Sequence, residues 1–300
     1  RSPLVQVSSA RRENLRYAMQ RRPRDPMPQV LEALEQSRGA TLIYARTRRS
    51  VEHWAERLQG QSVEATPYHA GLDPATRQTA LTQFLEQERP VLVATVAFGM
   101  GVDRGDVGLV LHLDLPSTPE GYLQESGRAG RDGQPARCLV LFSPGDRTSL
   151  GWAMQAAAGQ GTTADERHRL DLAQQQLRRM EAVAEGEMCR EQALLLAVGE
   201  LVDPCGRCDR CSASPKRKDW SRQATTLLTH LDDLDGTDMR RLGEHLALHE
   251  TGQGERWTWL ARRLVQEELI RESNDGVQRL QLRDSGRRNL ERPWPMDFAA

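Results

Sequence analysis

Short apolar runs alternate with stretches of helical periodicity through the first half of the chain, and this alternation restricts the folds available to it. The runs are rich in β-branched residues and lie at residues 40–44, 109–116 and 137–142, and another opens the stretch 91–103, which ends in a glycine-punctuated turn and an acid. A further short strand ends within residues 68–72, and helices are predicted over residues 50–58 and 74–86. The order strand, helix, strand, helix predicts a parallel sheet covered by helices on both faces.

A glycine-rich segment at residues 124–133, with the sequence QESGRAGRDG, sets Arg128 and Arg131 three positions apart. The segment is predicted to begin a helix, where guanidinium groups at this spacing share one face. A guanidinium is permanently charged and presents a planar fork of donors that matches phosphate oxygens. The pair therefore suits the terminal phosphate of a nucleotide, as an arginine finger does. Two solvated arginines on a surface helix are the alternative.

Four of the five cysteines form a second pattern, in which Cys189 is followed after fifteen residues by Cys205, Cys208 and Cys211. Thiolates at such spacings can turn around one metal ion, and four of them make the closed tetrahedral site that holds structural zinc. A disulfide framework and an iron–sulfur cluster are the alternatives. Cys138 lies in a predicted strand and is expected to be a buried core residue without a metal.

Length and charge restrict the remaining classes of protein. The 300 residues allow two or three compact domains, and the net charge of −1 means that any basic surface must be local. No apolar run approaches the ~18 residues that span a bilayer, and the N-terminus lacks the plan of a signal peptide. No membrane contact and a cytoplasmic location are therefore expected.

The last part of the chain predicts a winged-helix domain. Helical spacing recurs at residues 220–231, 239–248 and 257–268, and an Asp–Gly turn at residues 275–276 predicts a β-hairpin. Helices followed by such a wing are a common DNA-binding plan. Arg262 and Arg263 are predicted to face outward from the third helix toward a groove, with ordinary solvated arginines as the alternative.

Residues 40–146 resemble the second RecA-like domain of superfamily 2 helicases, and specifically of the RecQ family. The resemblance rests on YHAGL at 68–72, ATVAFGMGVD at 94–103 and QESGRAGRDG at 124–133. It continues through the cysteine pattern, which is similar to the helical hairpin and zinc subdomain of that family. The implied α/β fold is a RecA-like parallel-sheet domain followed by a helical zinc-binding subdomain and a winged-helix domain. The expected domains are a connector from a missing N-terminal RecA-like domain (1–34), the second RecA-like domain (35–150), the zinc-binding subdomain (151–215), and the winged helix with its tail (216–300).

The resemblance implies the C-terminal part of an ATP-dependent 3′→5′ DNA helicase that acts in repair and recombination. ATP and Mg²⁺ would bind between two RecA-like domains, and zinc would be structural. The residues implied at the nucleotide are Arg128, Arg131 and Gln124 for catalysis, and Asp103, Gly101 and Gly127 for binding.

The same resemblance implies that a DNA strand contacts Thr47, Arg48, His69 and Thr95. For Thr47 the alternative is a helix N-cap, and for His69 it is a hydrogen-bonded core histidine. The expected partners are single-stranded DNA and duplex junctions, the N-terminal RecA-like domain and, as a candidate, a single-strand-binding protein.

The sequence contains no Gly-x-x-x-x-Gly-Lys loop of the kind that holds nucleotide phosphates in a motor. The chain alone is therefore expected to bind DNA without turning over ATP. Two other classes stay open, a DNA-binding or partner-docking module without ATPase activity and an RNA-directed helicase, although the zinc and winged-helix patterns argue against the second. A nuclease is a weaker alternative, because no clustered carboxylates suggest a two-metal site.

Overall fold

The computed structural model describes residues 9–96, 98, 103–158, 163–213, 217–234, 236–247, 254–273 and 279–299. The chain divides into two compact units, residues 1–150 with 175–213 and residues 151–174 with 214–300. Each unit has its own apolar core. No helix in the described part of the chain is long and apolar enough to cross a membrane.

A six-stranded parallel sheet forms the centre of the first unit. Its strands are β1 (Leu15–Arg21), β2 (Ala40–Tyr44), β3 (Ala65–Tyr68), β4 (Val91–Ala94), β5 (Val107–His112) and β6 (Ala136–Phe142). The intervening helices are α1 (Met27–Glu35), α2 (Arg48–Gln59), α3 (Pro74–Glu86) and α4 (Pro119–Ser126). The strands lie in the order β1-β6-β5-β2-β4-β3, and each neighbouring pair is parallel. The predicted parallel α/β fold is confirmed.

Apolar periodicity explains how α2 packs on this sheet. Val51, Trp54, Ala55 and Leu58 recur at helical spacing and are all buried. They share a core with residues of the sheet, including Ile43. Burying one such large aliphatic side chain stabilises a fold by ~1.5–3 kcal/mol, so this stripe fixes the helix on the sheet.

Residues 15–21 differ from the expectation that the first 34 residues are a connector. They form the edge strand β1, which pairs with β6 from Leu15 opposite Ala136 to Arg21 opposite Phe142. Leu15, Tyr17 and Met19 are buried, whereas the residues between them are more exposed. This period of two is typical of a strand, but the surrounding arginines gave the segment the composition of a polar linker.

The two arginines of the glycine-rich segment do not begin a helix, and this prediction was wrong. Helix α4 begins earlier, where Thr118 accepts a hydrogen bond from the Gly121 N–H, and it ends at Ser126. The C-cap residue is Gly127, and beyond it Gly130 and Gly133 have φ values of +56° and +79°, a left-handed conformation that does not continue a helix. Arg128 and Arg131 therefore lie on the turn that follows α4, at its carboxyl end.

The segment that carries the cysteines is helical. It contains α5 (Pro144–Ala158), α6 (Ala164–Glu185), α7 (Arg190–Ala197) and α8 (Asp209–Ser212). The sequence AAAGQG at residues 156–161 predicts a connector, but the structure extends α5 through residues 156–158 because alanine is a strong helix former. The rest of that predicted connector lies outside the described residues.

The second unit combines helices with two small antiparallel sheets. Besides the parts of α5 and α6 within residues 151–174, its elements are β7 (Arg217–Asp219), α9 (Ser221–Asp233), β8 (Thr237–Asp238), α10 (Met239–Ala247), α11 (Gly254–Gln266), β9 (Ile270–Glu272), β10 (Arg279–Leu282), α12 (Asp284–Glu291) and β11 (Asp297–Ala299). One sheet has the order β8-β10-β9, and β11 pairs with β7. The sequence PKRK at residues 215–218 predicts a short basic linker, but residues 217 and 218 belong to β7. The predicted Asp–Gly turn lies outside the described residues, between the paired strands β9 and β10.

Candidate functional site

The turn after α4 is tied to the segment that leads into β5. The Gly130 N–H donates to the Val107 carbonyl at 2.9 Å, and the Asp132 N–H donates to the Gly105 carbonyl at 3.1 Å. These bonds bring Arg131 to Asp103, with 2.6 Å between Nη1 and Oδ1. The two side chains are 37% and 86% exposed, so the pair is solvated and its net stabilisation is small. Such a pair can exchange its carboxylate for another anion.

Three residues far away in the sequence support this turn, and sequence reasoning missed them. Arg12 Nη2 and Asn14 Nδ2 each donate to the Gly130 carbonyl at 2.7 Å. Arg38 donates both Nη atoms to the Asp132 carboxylate at 3.1 Å. The hydrogen bond from Arg38 holds the pKa of Asp132 below its usual range. No local pattern marks these residues, because the partners lie about a hundred positions apart along the chain.

Arg128 occupies a different environment on the same turn. It is half-buried, and its guanidinium lies beside the hydroxyl of Tyr44 at the end of β2. Burial raises the pKa of Tyr44, and the positive charge of Arg128 lowers it in part. Gln124 is exposed on α4, and Gly127 is its C-cap residue. Gly101, the remaining residue implied at the nucleotide, lies outside the described residues.

Thr47 and Arg48 lie together at the beginning of α2. Thr47 is exposed and caps the helix, because its Oγ1 accepts the Ser50 N–H at 3.0 Å. Arg48 is exposed and passes over Gly71, where a Cβ atom would lie 3.0 Å from Arg48 Cδ and Nη1. The glycine of the YHAGL segment therefore leaves room for this arginine. Both side chains stay available to a phosphate.

His69 is buried, in contrast to the phosphate contact implied for it. Its side chain is 3% exposed. The Gly71 N–H donates to Nδ1 at 3.2 Å, so Nδ1 is an acceptor, and Nε2 lies 3.1 Å from Glu52 Oε1. Both ring nitrogens are thus engaged inside the protein, as a core histidine requires. Thr95 is half-buried just after β4, where its N–H donates to the Tyr68 carbonyl at 3.3 Å.

Arg262 and Arg263 do not face outward from α11, so that prediction was wrong. Arg262 is 8% exposed. Arg263 pairs with Glu267 at 2.8 Å, and its guanidinium lies 5.0 Å from the centre of the Phe298 ring. The apolar face of α11 is wide, and long arginine stems pack along it with their charged ends held by neighbours. A helical wheel of the sequence alone does not show the β11 residues that cover this side.

A charge network joins residues that lie near the carboxyl ends of neighbouring strands. Arg22 pairs with Asp114 at 3.0 Å and with Asp146 at 2.5 Å. Arg46 also reaches Asp114, at 3.5 Å, and donates to Ser149 Oγ at 2.9 Å. The chain leaves β2 and β5 in opposite directions, which is where α/β sheets open a crevice. A pocket of about 340 Å³ lies there, and Arg46 and Asp114 are part of its lining.

The four cysteines converge in space as predicted. The sulfur atoms of Cys189, Cys205, Cys208 and Cys211 all lie within 4.8 Å of one another. Tetrahedral zinc with Zn–S bonds of ~2.3 Å places its sulfurs ~3.8 Å apart, and Cys208 Sγ lies 3.9 Å from Cys189 Sγ. Several backbone N–H groups point at these sulfurs, including that of Arg190 at 3.4 Å from Cys208. The four sulfur atoms and the backbone N–H groups that donate to them fit zinc.

Cys138 has the environment predicted for it. It is 0% exposed within β6, and burial raises the pKa of its thiol to about 12. A thiol of this kind stays protonated at neutral pH, so it is a core residue and an inert one.

Buried charges attach the cysteine segment to the sheet. Arg190 is 1% exposed, and its Nε and Nη2 donate to the two Asp209 oxygens at 2.9 and 3.1 Å. Asp209 also accepts the Met19 N–H of β1 at 3.2 Å, and Arg207 Nε donates to the Leu15 carbonyl at 3.0 Å. The outer edge of β1 is therefore covered by the cysteine segment, which blocks pairing with another strand.

Comparison with known proteins identifies two successive regions of the chain. Residues 25–133 match the family model for the helicase conserved C-terminal domain, and residues 144–212 match the family model for RecQ zinc-binding.

The ATP-dependent DNA helicase RecQ of Haemophilus influenzae is 35% identical over 215 residues, which cover 71% of this chain and 33% of the relative. The protein of the same name from Bacillus subtilis is 36% identical over 63% of this chain and 31% of its own length. ATP-dependent DNA helicase Q5 of Rattus norvegicus is 37% identical over 56% of this chain and 15% of its own length. The chain thus spans about a third of the length of these two bacterial relatives.

Proposed function

We propose that the chain is a member of the RecQ helicase family and forms the second RecA-like half of an ATP-dependent 3′→5′ DNA-unwinding motor in repair and recombination. The observation that carries this proposal is the exposed turn after α4, which presents Arg131 beside Asp103 and Arg128 beside Tyr44. Two guanidinium groups are thereby presented by one turn whose backbone is fixed by hydrogen bonds.

The turn would act on the terminal phosphates of ATP bound with Mg²⁺ against the N-terminal RecA-like domain. Arg131 would leave Asp103 for a phosphate oxygen, which is a stronger partner than a solvated carboxylate. Arg128 would reach the same group from its half-buried position, and Gln124 would sense the nucleotide from α4. Gly101 and Gly127 would let the backbone approach it. Charge stabilisation by arginine of this kind is worth ~10³ to 10⁵ in rate.

A single strand of DNA would lie over the carboxyl ends of the paired strands β2 and β4. Thr47, Arg48 and Thr95 follow those ends and would contact phosphates. His69 would act through Glu52 and Gly71, holding the loop beneath Arg48 in place. Because phosphate contacts release counterions, the affinity should fall steeply as salt rises.

The second unit would supply duplex contacts as a winged helix. The order helix, strand, helix, helix, strand, strand in residues 221–282 supports this assignment, as does the antiparallel order β8-β10-β9. With Arg262 and Arg263 packed inside, the exposed Arg271 and Arg279 at the base of the β9–β10 pair would replace them as phosphate contacts. Single-stranded DNA, duplex junctions and a single-strand-binding protein are the proposed partners, and the cytoplasm is the proposed location.

Zinc would hold the cysteine segment in a structural role. The four thiolates would complete its tetrahedral shell, leaving no position for substrate. The Arg190–Asp209 pair beside the ligands would then stay dry and fixed. The zinc-binding subdomain would extend over residues 151–215, after a second RecA-like domain that β1 and α1 extend toward the N-terminus.

Complementation in trans tests the proposal. The chain is mixed with the N-terminal RecA-like domain of a RecQ helicase, and ATP hydrolysis is measured with and without single-stranded DNA. We expect hydrolysis only in the mixture, a fall of ~10³-fold or more for Arg128→Ala and Arg131→Ala, and no change for Arg137→Ala. Arg137 is a matched control because it lies on β6 and donates to Gln36 at 2.7 Å, away from the turn. Hydrolysis by the chain alone, or full activity of both alanine variants, would overturn the assignment.

A further inference from the structure

The hydroxyl of Tyr44 stands between the proposed DNA and nucleotide contacts. Tyr44 is 2% exposed, and its O–H donates to the Phe98 carbonyl at 3.3 Å. The Phe98 N–H in turn donates to the Thr95 carbonyl at 2.9 Å. The carbonyl that Tyr44 holds therefore belongs to the same turn as Thr95, a proposed phosphate contact.

Arg128 interacts with the same hydroxyl. Its guanidinium interacts with the phenol oxygen both through charge and as a hydrogen-bond donor. A tyrosine hydroxyl can accept one hydrogen bond and donate another at the same time. One oxygen atom can thus link the arginine to the backbone of the Thr95 turn.

A second path connects the Tyr44 ring to the same helix end. The ring stacks on His112 with 4.9 Å between centroids, and His112 Nε2 lies 2.7 Å from Glu125 Oε2. The Glu125 carbonyl accepts the Arg128 N–H at 3.3 Å. Tyr44 is therefore connected to Arg128 twice, directly through its hydroxyl and indirectly from its ring through His112 and Glu125.

Phe98 is itself fixed by aromatic packing. Its ring meets Tyr68 at 4.7 Å and Phe84 at 5.6 Å, in both cases edge to face. A close-packed interior of this kind moves in discrete steps and transmits a displacement to its neighbours. A DNA strand that displaces the turn at Thr95 must therefore also displace the Phe98 carbonyl, to which Tyr44 donates.

We propose that Tyr44 is a positioning residue that couples the DNA-binding turn at Thr95 to Arg128, so that bound DNA sets the guanidinium for the nucleotide. This inference rests on the proposed function, since it assigns a link between the two contacts named there. Tyr44 touches neither DNA nor nucleotide.

Tyr44→Phe is the test variant, because it removes the hydroxyl and keeps the ring stacked on His112. Tyr122→Phe is the matched control. Tyr122 is also buried and its ring packs 5.0 Å from His112, but its hydroxyl donates to the Cys138 carbonyl at 3.5 Å. A merely structural role of the Tyr44 hydroxyl predicts that both variants lose stability alike and keep their response to DNA.

In the complementation assay, Tyr44→Phe should keep the hydrolysis rate measured without DNA and the affinity for single-stranded DNA. Its stimulation by DNA should fall about fivefold, the effect of one hydrogen bond, whereas Tyr122→Phe should be stimulated like the native chain. Native stimulation in Tyr44→Phe, or an equal loss in both variants, would overturn the proposal.

A second measurement uses the chain alone and needs no hydrolysis. Binding of single-stranded DNA should slow backbone hydrogen exchange at residues 124–131 in the native chain and in Tyr122→Phe, but not in Tyr44→Phe. If the native chain binds DNA and these residues do not respond, the coupling is refuted. If they respond as expected while the mixture hydrolyses no ATP, the coupling holds and the proposed ATPase role fails.

Discussion

The cysteine segment and the turn after α4 both depend on arginine, yet they hold it in opposite ways. Arg190 is 1% exposed, and its guanidinium is fixed by both oxygens of Asp209. Arg131 is 37% exposed and faces Asp103, which is 86% exposed. A buried pair with its hydrogen bonds satisfied holds two elements together. A solvated pair adds little stability, and for that reason it can exchange its partner for a ligand.

The largest effect is expected in the cysteine segment, on loss of one zinc ligand. Cys208→Ser should release the metal and remove hydrogen-exchange protection from residues 186–212, because structural zinc contributes ~10–16 kcal/mol to folding such segments. Bound zinc and exchange are the measurements. Cys138→Ala is the control, since this buried thiol lies in β6 and should leave the metal content unchanged. A Cys208→Ser chain that keeps zinc and full protection would contradict the assignment.

Matched replacements of the two arginines should show the contrast directly. Arg190→Met removes a buried guanidinium and leaves the half-buried Asp209 carboxylate without its main partner, so it should lower the free energy of unfolding by ~1–3 kcal/mol. Arg131→Met should change it by less than ~0.5 kcal/mol, as surface substitutions do. Urea denaturation of both variants measures this difference, and equal losses would abolish the distinction between the two regions.

The glycines of the turn should differ in how well they tolerate a side chain. Gly130 and Gly133 both have positive φ, so alanine costs ~1–2 kcal/mol at either position. A Cβ at Gly130 would also lie 2.5 Å from Asn14 Nδ2 and 2.8 Å from the Gln134 carbonyl, whereas no atom of the described residues lies within 4 Å of a Cβ at Gly133. Thermal denaturation should therefore show the larger loss for Gly130→Ala. The reverse order would mean that the turn is not held as the structure shows.

The smallest effect should be a pH dependence of the same turn. Arg38 holds the pKa of Asp132 below the ordinary value of 3.8. The resulting stabilisation is present above that ordinary value and is lost as the pH falls through the lowered pKa, so it should disappear only in strong acid. Between pH 2 and 5, the free energy of unfolding should depend slightly less steeply on pH for Asp132→Asn than for the native chain. An identical dependence on pH in both chains would show that the Arg38–Asp132 pair contributes nothing.

Patterns that are local in the sequence predicted most of the fold. The parallel sheet followed from apolar runs, because a strand buried on both faces has to be apolar along its length. The zinc ligands followed from spacing, because short loops bring thiolates together wherever they lie. Strand β1 escaped notice because arginines occupy its exposed positions.

Patterns that depend on distant partners could not be predicted. Arg22 reaches Asp114 and Asp146 across 92 and 124 positions, and only the strand order brings these residues together. The arginine turn was mistaken for a helix because the spacing of Arg128 and Arg131 suits one, while the left-handed Gly130 that follows α4 is held by a hydrogen bond to β5. Arg262 was expected at the surface because it is charged, but it is buried in the structure. The polarity of a residue does not show which other parts of the chain cover its helix.

Because the cysteine segment covers the edge of β1, a bound metal would stabilise more than the loops that hold it. Asp209 and Arg207 occupy backbone groups on the outer edge of β1, at Met19 and Leu15. Without the metal, those groups would lie open along an edge strand whose alternate residues are apolar, which is a template for pairing with a second chain. Zinc starvation should therefore appear first as self-association through the sheet, before any loss of the helices that surround it.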